Sequence, residues 1–196
     1  MKQRQDGTAT LDRPGSQPSL VDKNQEDADK AEMMKKVEEA GRPGPGHQAL
    51  EHFVGKWKAE VKCWMEPGGP PHVNSATATG RWILNGRFLV EEFHGEMMGK
   101  PFHGQTLLGF DNTKQTFNSV WVSDMQTSMF VSEGKSKGDN KVITLEGKSS
   151  CPATNRHDIP MKVVLRVLSP DKHTFEMFDE SNGANGKNME ITYTRQ

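Results

Sequence analysis

Two histidines and three acids cluster around the dipeptide Met98-Gly99. A hairpin turning there pairs residues whose numbers sum to 197, so His94 faces His103, Glu92 faces Gln105, Glu96 faces Pro101 and Glu91 faces Thr106. Two imidazoles on one face beside an acid are a candidate transition-metal site at His94 and His103, incomplete without a fixed third ligand. The plainer reading is a solvated cross-strand pair. The opposite face carries Leu89, Glu91 and Phe93 against Leu108, Thr106 and Phe102. It is the more apolar face and is expected inside. A buried carboxylate must be paired, hydrogen-bonded or protonated. Glu91 is therefore a candidate anchor for the polar head of a ligand, or a general base. Pairing with Thr106 or an arginine is the structural alternative.

Other chemistry finds less support. Cys63 reads as an inward strand residue. Cys151 lies before Pro152 with Arg156 and His157 near, a setting that lowers a thiol pKa. No serine sits in a G-x-S-x-G turn. The run Gly41-Arg42-Pro43-Gly44-Pro45-Gly46 follows no strand and contains prolines, unlike a phosphate-binding loop. Arg81-Trp82 and Arg87-Phe88 interleave cations with aromatics, but Lys+Arg 25 against Asp+Glu 26 gives a net charge of −1. That balance argues against nucleic acid as a partner. No apolar run approaches the ~20 residues of a membrane helix. Two cysteines in a chain with no secretory leader pattern point to reduced thiols and a cytoplasmic location.

The elements that would position these residues are short. Alternating segments read as strands at about 57–65, 73–83, 87–97, 100–110, 115–123, 127–136, 140–149, 160–169, 172–179 and 187–195. Turn residues separate them at Asn85-Gly86, Met98-Gly99, Asp111-Asn112, Gly138-Asp139-Asn140, Ser169-Pro170-Asp171 and Asn182-Gly183. Ser150 to Ile159 is the one long connection. Ten consecutive strands with tight turns describe an all-β, up-and-down antiparallel meander, which closes into a barrel to remove its edges. The inward set is Trp57, Ala59, Val61 and Cys63; Phe117, Ser119 and Trp121; Ile143 and Leu145; Val163, Leu165 and Val167; Phe175 and Met177; and Met189, Ile191 and Tyr193. A barrel wider than ~8 strands is not filled by its own side chains, so a cavity is expected.

Before the barrel the texture differs. Residues 1–46 hold no aromatic, nine acids and eight bases, leaving 17 of each in the remainder. Met1 to Ser19 is expected to be disordered. Leu20 to Ala40 has helical composition but only a weak apolar stripe at Val21, Ala28, Met33 and Val37. This gives a tail and Gly/Pro linker over 1–46 and a barrel domain over 47–196, with residues 1–40 dispensable for folding. His47 to Val54 reads as one or two helical turns with Leu50 and Phe53 on one face, ended by Gly55.

Gly55-Lys56-Trp57, after a short helix and opening the first strand, resembles the Gly-x-Trp motif of the calycin superfamily. A narrower resemblance covers His47 to Arg195. The pieces HQALEHFVGKW, GRFLVEEFHGEMMGKPFHGQTLLGFDNTKQTFNSVWVSDM, MFVSEG and MEITYTR, in that order, are similar to the bacterial domain of unknown function 1579 family. The resemblance implies a lipocalin-like barrel with a short N-terminal helix, and implies no activity. It also implies a closure pair, with Arg195 at the end of the last strand packed over Trp57. Where the family pattern places an acid after Trp-x, this chain has Ser123, with Asp124 one later.

The expected function is a non-enzymatic binder of a small, largely apolar molecule in the barrel. The candidate cavity residues are Glu91, Phe93, Thr106, Leu108, Phe117, Ser119, Trp121 and Tyr193. Haem or a transition metal is the alternative cofactor, by analogy with nitrobindin-like barrels, with His94, His103 or His173 as ligand. A further alternative is an enzyme using Glu91 with a polar partner such as Ser119. No membrane partner is expected.

Overall fold

The structure, a computed structural model, describes residues 20–97 and 99–196. The expectation for Met1 to Ser19 lies outside the described residues. The chain divides into two compact units, Met1–Glu39 and Ala40–Gln196.

In the first unit, α1 (Leu20–Ala40) runs through the segment of helical composition. From Lys23 onward its residues are exposed, Met33 and Val37 included. A helix with so little apolar surface buries nothing of its own. In the second unit, Asn112 Nδ2 donates to the carbonyls of Ala40 and Arg42 at 2.8 and 2.7 Å. Deletion of Met1–Glu39, which keeps those acceptors, is expected to move the thermal midpoint by no more than about 2 °C, under one kcal/mol at this size. A fall of more than about 10 °C in a calorimetric scan would overturn this expectation.

The second unit is a closed barrel with strand order β1-β10-β9-β8-β7-β6-β5-β4-β3-β2, every neighbour antiparallel. The strands are β1 (Gly55–Cys63), β2 (His72–Ile83), β3 (Phe88–Met97), β4 (Lys100–Asp111), β5 (Thr116–Ser123), β6 (Phe130–Lys137), β7 (Val142–Cys151), β8 (Arg156–Ser169), β9 (Lys172–Asp179) and β10 (Lys187–Arg195). The all-β meander expected from alternation is therefore the fold. Register between β3 and β4 follows the sum rule, Glu91 opposite Thr106 and His94 opposite His103. Two connections differ from expectation. Ser150 to Ile159 is mostly strand, because Cys151 pairs with Arg156 after a register shift and Asn155 and Asp158 take positive φ. Asn182-Gly183 belongs to a 3₁₀ turn (Glu180–Asn185) rather than a tight hairpin. That turn is tied down by Asp179, which accepts from Ser181 N at 2.9 Å and pairs with Arg156 at 3.0 Å.

The two ends of the barrel are built differently. A short helix, α2 (Pro45–Gln48), and a 3₁₀ turn (Glu51–Phe53) lead into β1. They insert Leu50 and Phe53, 0 % and 4 % exposed, among Leu89, Leu108, Phe117, Ile143, Leu145 and Val163. Gly80 admits this segment: a Cβ there would lie 2.2 Å from the Phe53 carbonyl oxygen. This end is solid. At the other end small and polar inward residues dominate, including Gly95, Gly104, Ser123, Gly147 and Ser149.

Candidate functional site

At the packed end, Trp57 has no exposed surface and its indole N–H donates to the Phe53 carbonyl at 3.1 Å. The Arg195 guanidinium lies 4.1 Å from the centre of the indole. Arg195 also donates to the carbonyls of Val54, His52 and Pro170 and pairs with Asp171 at 3.2 Å. It thus ties the segment before β1, the β8–β9 turn and the last strand into one lid. His173 sits beneath, with Trp57 edge-on at 4.4 Å and Tyr193 stacked at 4.3 Å. Burial, then the neighbouring His52 and Arg195, push its pKa from 6.5 to about 3, so the ring is neutral. His173 Nδ1 and His52 Nε2 are buried without hydrogen-bond partners. The aromatic rings around His173 leave it 1 % exposed, with no open face for a planar cofactor.

Above this layer the inward face changes character. Glu91 on β3 stands between Gly80 on β2 and Thr106 on β4. Its side chain points inward with Leu89 and Phe93. Burial pushes its pKa from 4.5 to about 7, opposed by hydrogen bonding from the Tyr193 phenol on β10. Burial, and then the neighbouring Glu91 carboxylate, raise the Tyr193 pKa well above 10. The wall between them is made of Ala59, Ala76, Ala78 and Gly80, small enough for a phenol on β10 to reach across β1 and β2. Among the described residues no lysine or arginine pairs with Glu91. Arg195 is committed at the packed end, and Arg156 to Asp179.

Several inward residues at and above Glu91 keep accessible surface: Val61, Cys63, Glu91, Thr106, Ser119, Trp121, Met177 and Met189. These inward side chains are not fully covered by their neighbours. Trp121 lies over Gly104, where a Cβ would come within 2.1 Å of the indole. Phe93 packs at 5.7 Å from Phe102 and 6.1 Å from Trp121. The lumen is thus aromatic on one side and sulfur-rich on the other, with Cys63, Met189 and Met177 side by side on β1, β10 and β9. Burial pushes the Cys63 thiol pKa up, which keeps it protonated and unreactive.

A surface cavity of about 540 Å³ lies at the open rim. It does not contain Glu91. Its walls run from outward His94, His103 and Thr77 to inward Ala76, Gly95 and Phe102, where the β2–β3 ladder has stopped at Thr77–His94. Wall residues from both faces of the sheet make it an opening beside the lumen rather than the lumen itself. His94 and His103 stack at 4.4 Å with 12° between their planes. Among the described residues no three His, Cys, Asp or Glu side chains are grouped to hold a metal.

Of the residues expected to line the cavity, Glu91, Phe93, Thr106, Ser119, Trp121 and Tyr193 stand at inward register positions. Leu108 and Phe117 are instead part of the packed end, 5 % and 1 % exposed, because Leu50 and Phe53 fill the space they face. Sequence reasoning missed the Glu91–Tyr193 pairing and the His52–His173 contact. Both join segments far apart in the chain; the alanine-rich wall of β1 and β2 was the available signal for the first.

These features define a class, a closed ten-stranded antiparallel barrel with one plugged end. The chain belongs to the family described as protein of unknown function (DUF1579), whose model matches residues 42–195. Among solved structures it is similar to Rv2717c from M. tuberculosis, at 18 % identity and a TM-score of 0.55, over 79 % of this chain and 99 % of that one. A redesigned beta barrel matches at 12 % identity and a TM-score of 0.42, over 76 % of this chain and 95 % of that one. The likeness to Rv2717c concerns the fold alone. No curated protein matches. Among the described residues no helix is long and apolar enough to cross a membrane.

Proposed function

We propose that the protein is a non-enzymatic binder of a small, largely apolar molecule held in the barrel lumen. The observation that carries this reading is the accessible surface retained by inward residues above the Leu50–Phe53 plug. A lipocalin-like barrel plugged at one end offers a blind pocket, with an aromatic and thioether lining for an apolar body and Glu91 with Tyr193 at its floor for one polar group. Methionines adapt their shape to an occupant more readily than branched side chains do. The cavity between β2, β3 and β4 is the route in.

Native mass spectrometry of protein purified gently from its own cells tests this reading. The expected result is a bound mass that survives in the wild type and is lost in Phe93→Ala, which removes a lumen wall residue that is 4 % exposed. Ligand-free wild-type protein that also fails to bind an added fluorescent apolar probe would sink the reading.

A further inference from the structure

Glu91 has an unusual position for a carboxylate. It points into the barrel with the Tyr193 phenol as its polar neighbour, and among the described residues no basic side chain pairs with it. Three other acids of restricted exposure are paired with cations: Glu176 with Arg166 and Lys187, Asp179 with Arg156, Glu190 with Lys187. The side chains around Glu91 supply no charge from any element. Gly80 on β2 and Thr106 on β4 are uncharged, Tyr193 on β10 holds its proton, and His173 behind Tyr193 is neutral. The lumen therefore presents one acidic oxygen pair without a counter-cation in apolar surroundings. A buried charge of this kind is strongly unfavourable alone and favourable with an opposite charge beside it.

From this geometry we infer that the lumen selects amphiphiles with a cationic head, a primary or secondary ammonium on an apolar body, which sits against Glu91 and Tyr193. This rests on the lumen being a ligand site, as proposed above, and narrows its ligand class. An ammonium donates hydrogen bonds to the carboxylate and neutralises it. A carboxylate ligand meets like charge, and an alcohol gains a hydrogen bond but no ion pair. When Glu91 enters the complex protonated, its proton leaves to solvent as the ammonium takes its place, so charge and protons balance.

The test uses the full-length protein and three probes with one chain length, octylamine, octan-1-ol and octanoate, below their aggregation limits. Binding is followed by tryptophan fluorescence and calorimetry. At pH 8 octylamine should bind at least about tenfold more tightly than octan-1-ol, the gain expected of a charge-assisted hydrogen bond, with octanoate weakest. At pH 6 the amine should bind several-fold more weakly than at pH 8, while the alcohol changes little. Glu91→Gln should erase the amine preference, with a cooperative thermal melt and an unchanged circular-dichroism spectrum showing that the variant is folded. An amine no tighter than the alcohol in the wild type, or a preference that survives in Glu91→Gln, overturns the inference and leaves the lumen reading standing. If none of the probes binds, both fall.

Discussion

Trp57→Ala is expected to lower stability by roughly 3–5 kcal/mol, the range for deleting a large buried aromatic. At ~2–4 °C per kcal/mol the melting midpoint should fall on the order of 10 °C. The magnitude follows from what the indole touches. It has no exposed surface, donates to Phe53 O at 3.1 Å, meets His173 edge-on at 4.4 Å and supports the Arg195 guanidinium at 4.1 Å. Its removal leaves a void under the lid that rigid strands on either side cannot close. Arg195→Ala should cost less. A cation over an indole contributes about 0.5–2 kcal/mol, and three backbone carbonyls lose a donor but sit near the surface. The two losses should not add, with a coupling of about 0.5–3 kcal/mol. Urea unfolding of the single and double variants measures it; zero coupling would mean that Arg195 acts only through the carbonyls and Asp171.

The second large effect is a dependence on pH. The folded-state pKa of Glu91 is raised from 4.5 to about 7. Between those values the native state holds a proton that the unfolded chain releases, so this group's contribution is complete below 4.5 and is lost as pH rises through 7. The whole swing is at most about 3 kcal/mol. His173 works in the opposite sense. Its pKa is lowered from 6.5 to about 3, so its contribution is complete above 6.5 and is lost as pH falls toward 3. The two overlap in the wild type and mask one another. Glu91→Gln separates them. The stability of Glu91→Gln relative to wild type should rise by up to about 3 kcal/mol from pH 4 to pH 8, read from denaturant midpoints across that range. A difference that stays flat would mean that Glu91 is not desolvated in the folded protein.

The proposed ammonium ligand joins this prediction to function. In the free protein the Glu91 charge is costly near neutral pH, and an ammonium beside it removes that cost. A polar group that weakens the empty barrel and strengthens the filled one is the expected signature of a binding residue rather than a structural one.

Period-two alternation determined the strands, and turn residues such as Asn85-Gly86 determined most of their ends, because both are local properties of the chain. The Met98-Gly99 hairpin placed Glu91 opposite Thr106 and His94 opposite His103, since register in a tight hairpin is fixed by the turn. Gly55-Lys56-Trp57 and Arg195 likewise marked the two strands that meet at closure, and Trp57 pairs with Arg195 in the β1–β10 ladder. Tertiary structure decided what faces what across the interior. The sequence placed Leu108 and Phe117 on the inner face, but only the inserted Leu50 and Phe53 made that part of the interior solid. The sequence offered Thr106 or an arginine as a partner for Glu91. Closure of β10 onto β1 delivered Tyr193 instead, over a wall of alanine and glycine. Alternation along a strand reports which face a side chain is on; the distance between two inward side chains depends on how the sheet curves and closes, and that is set by all ten strands together.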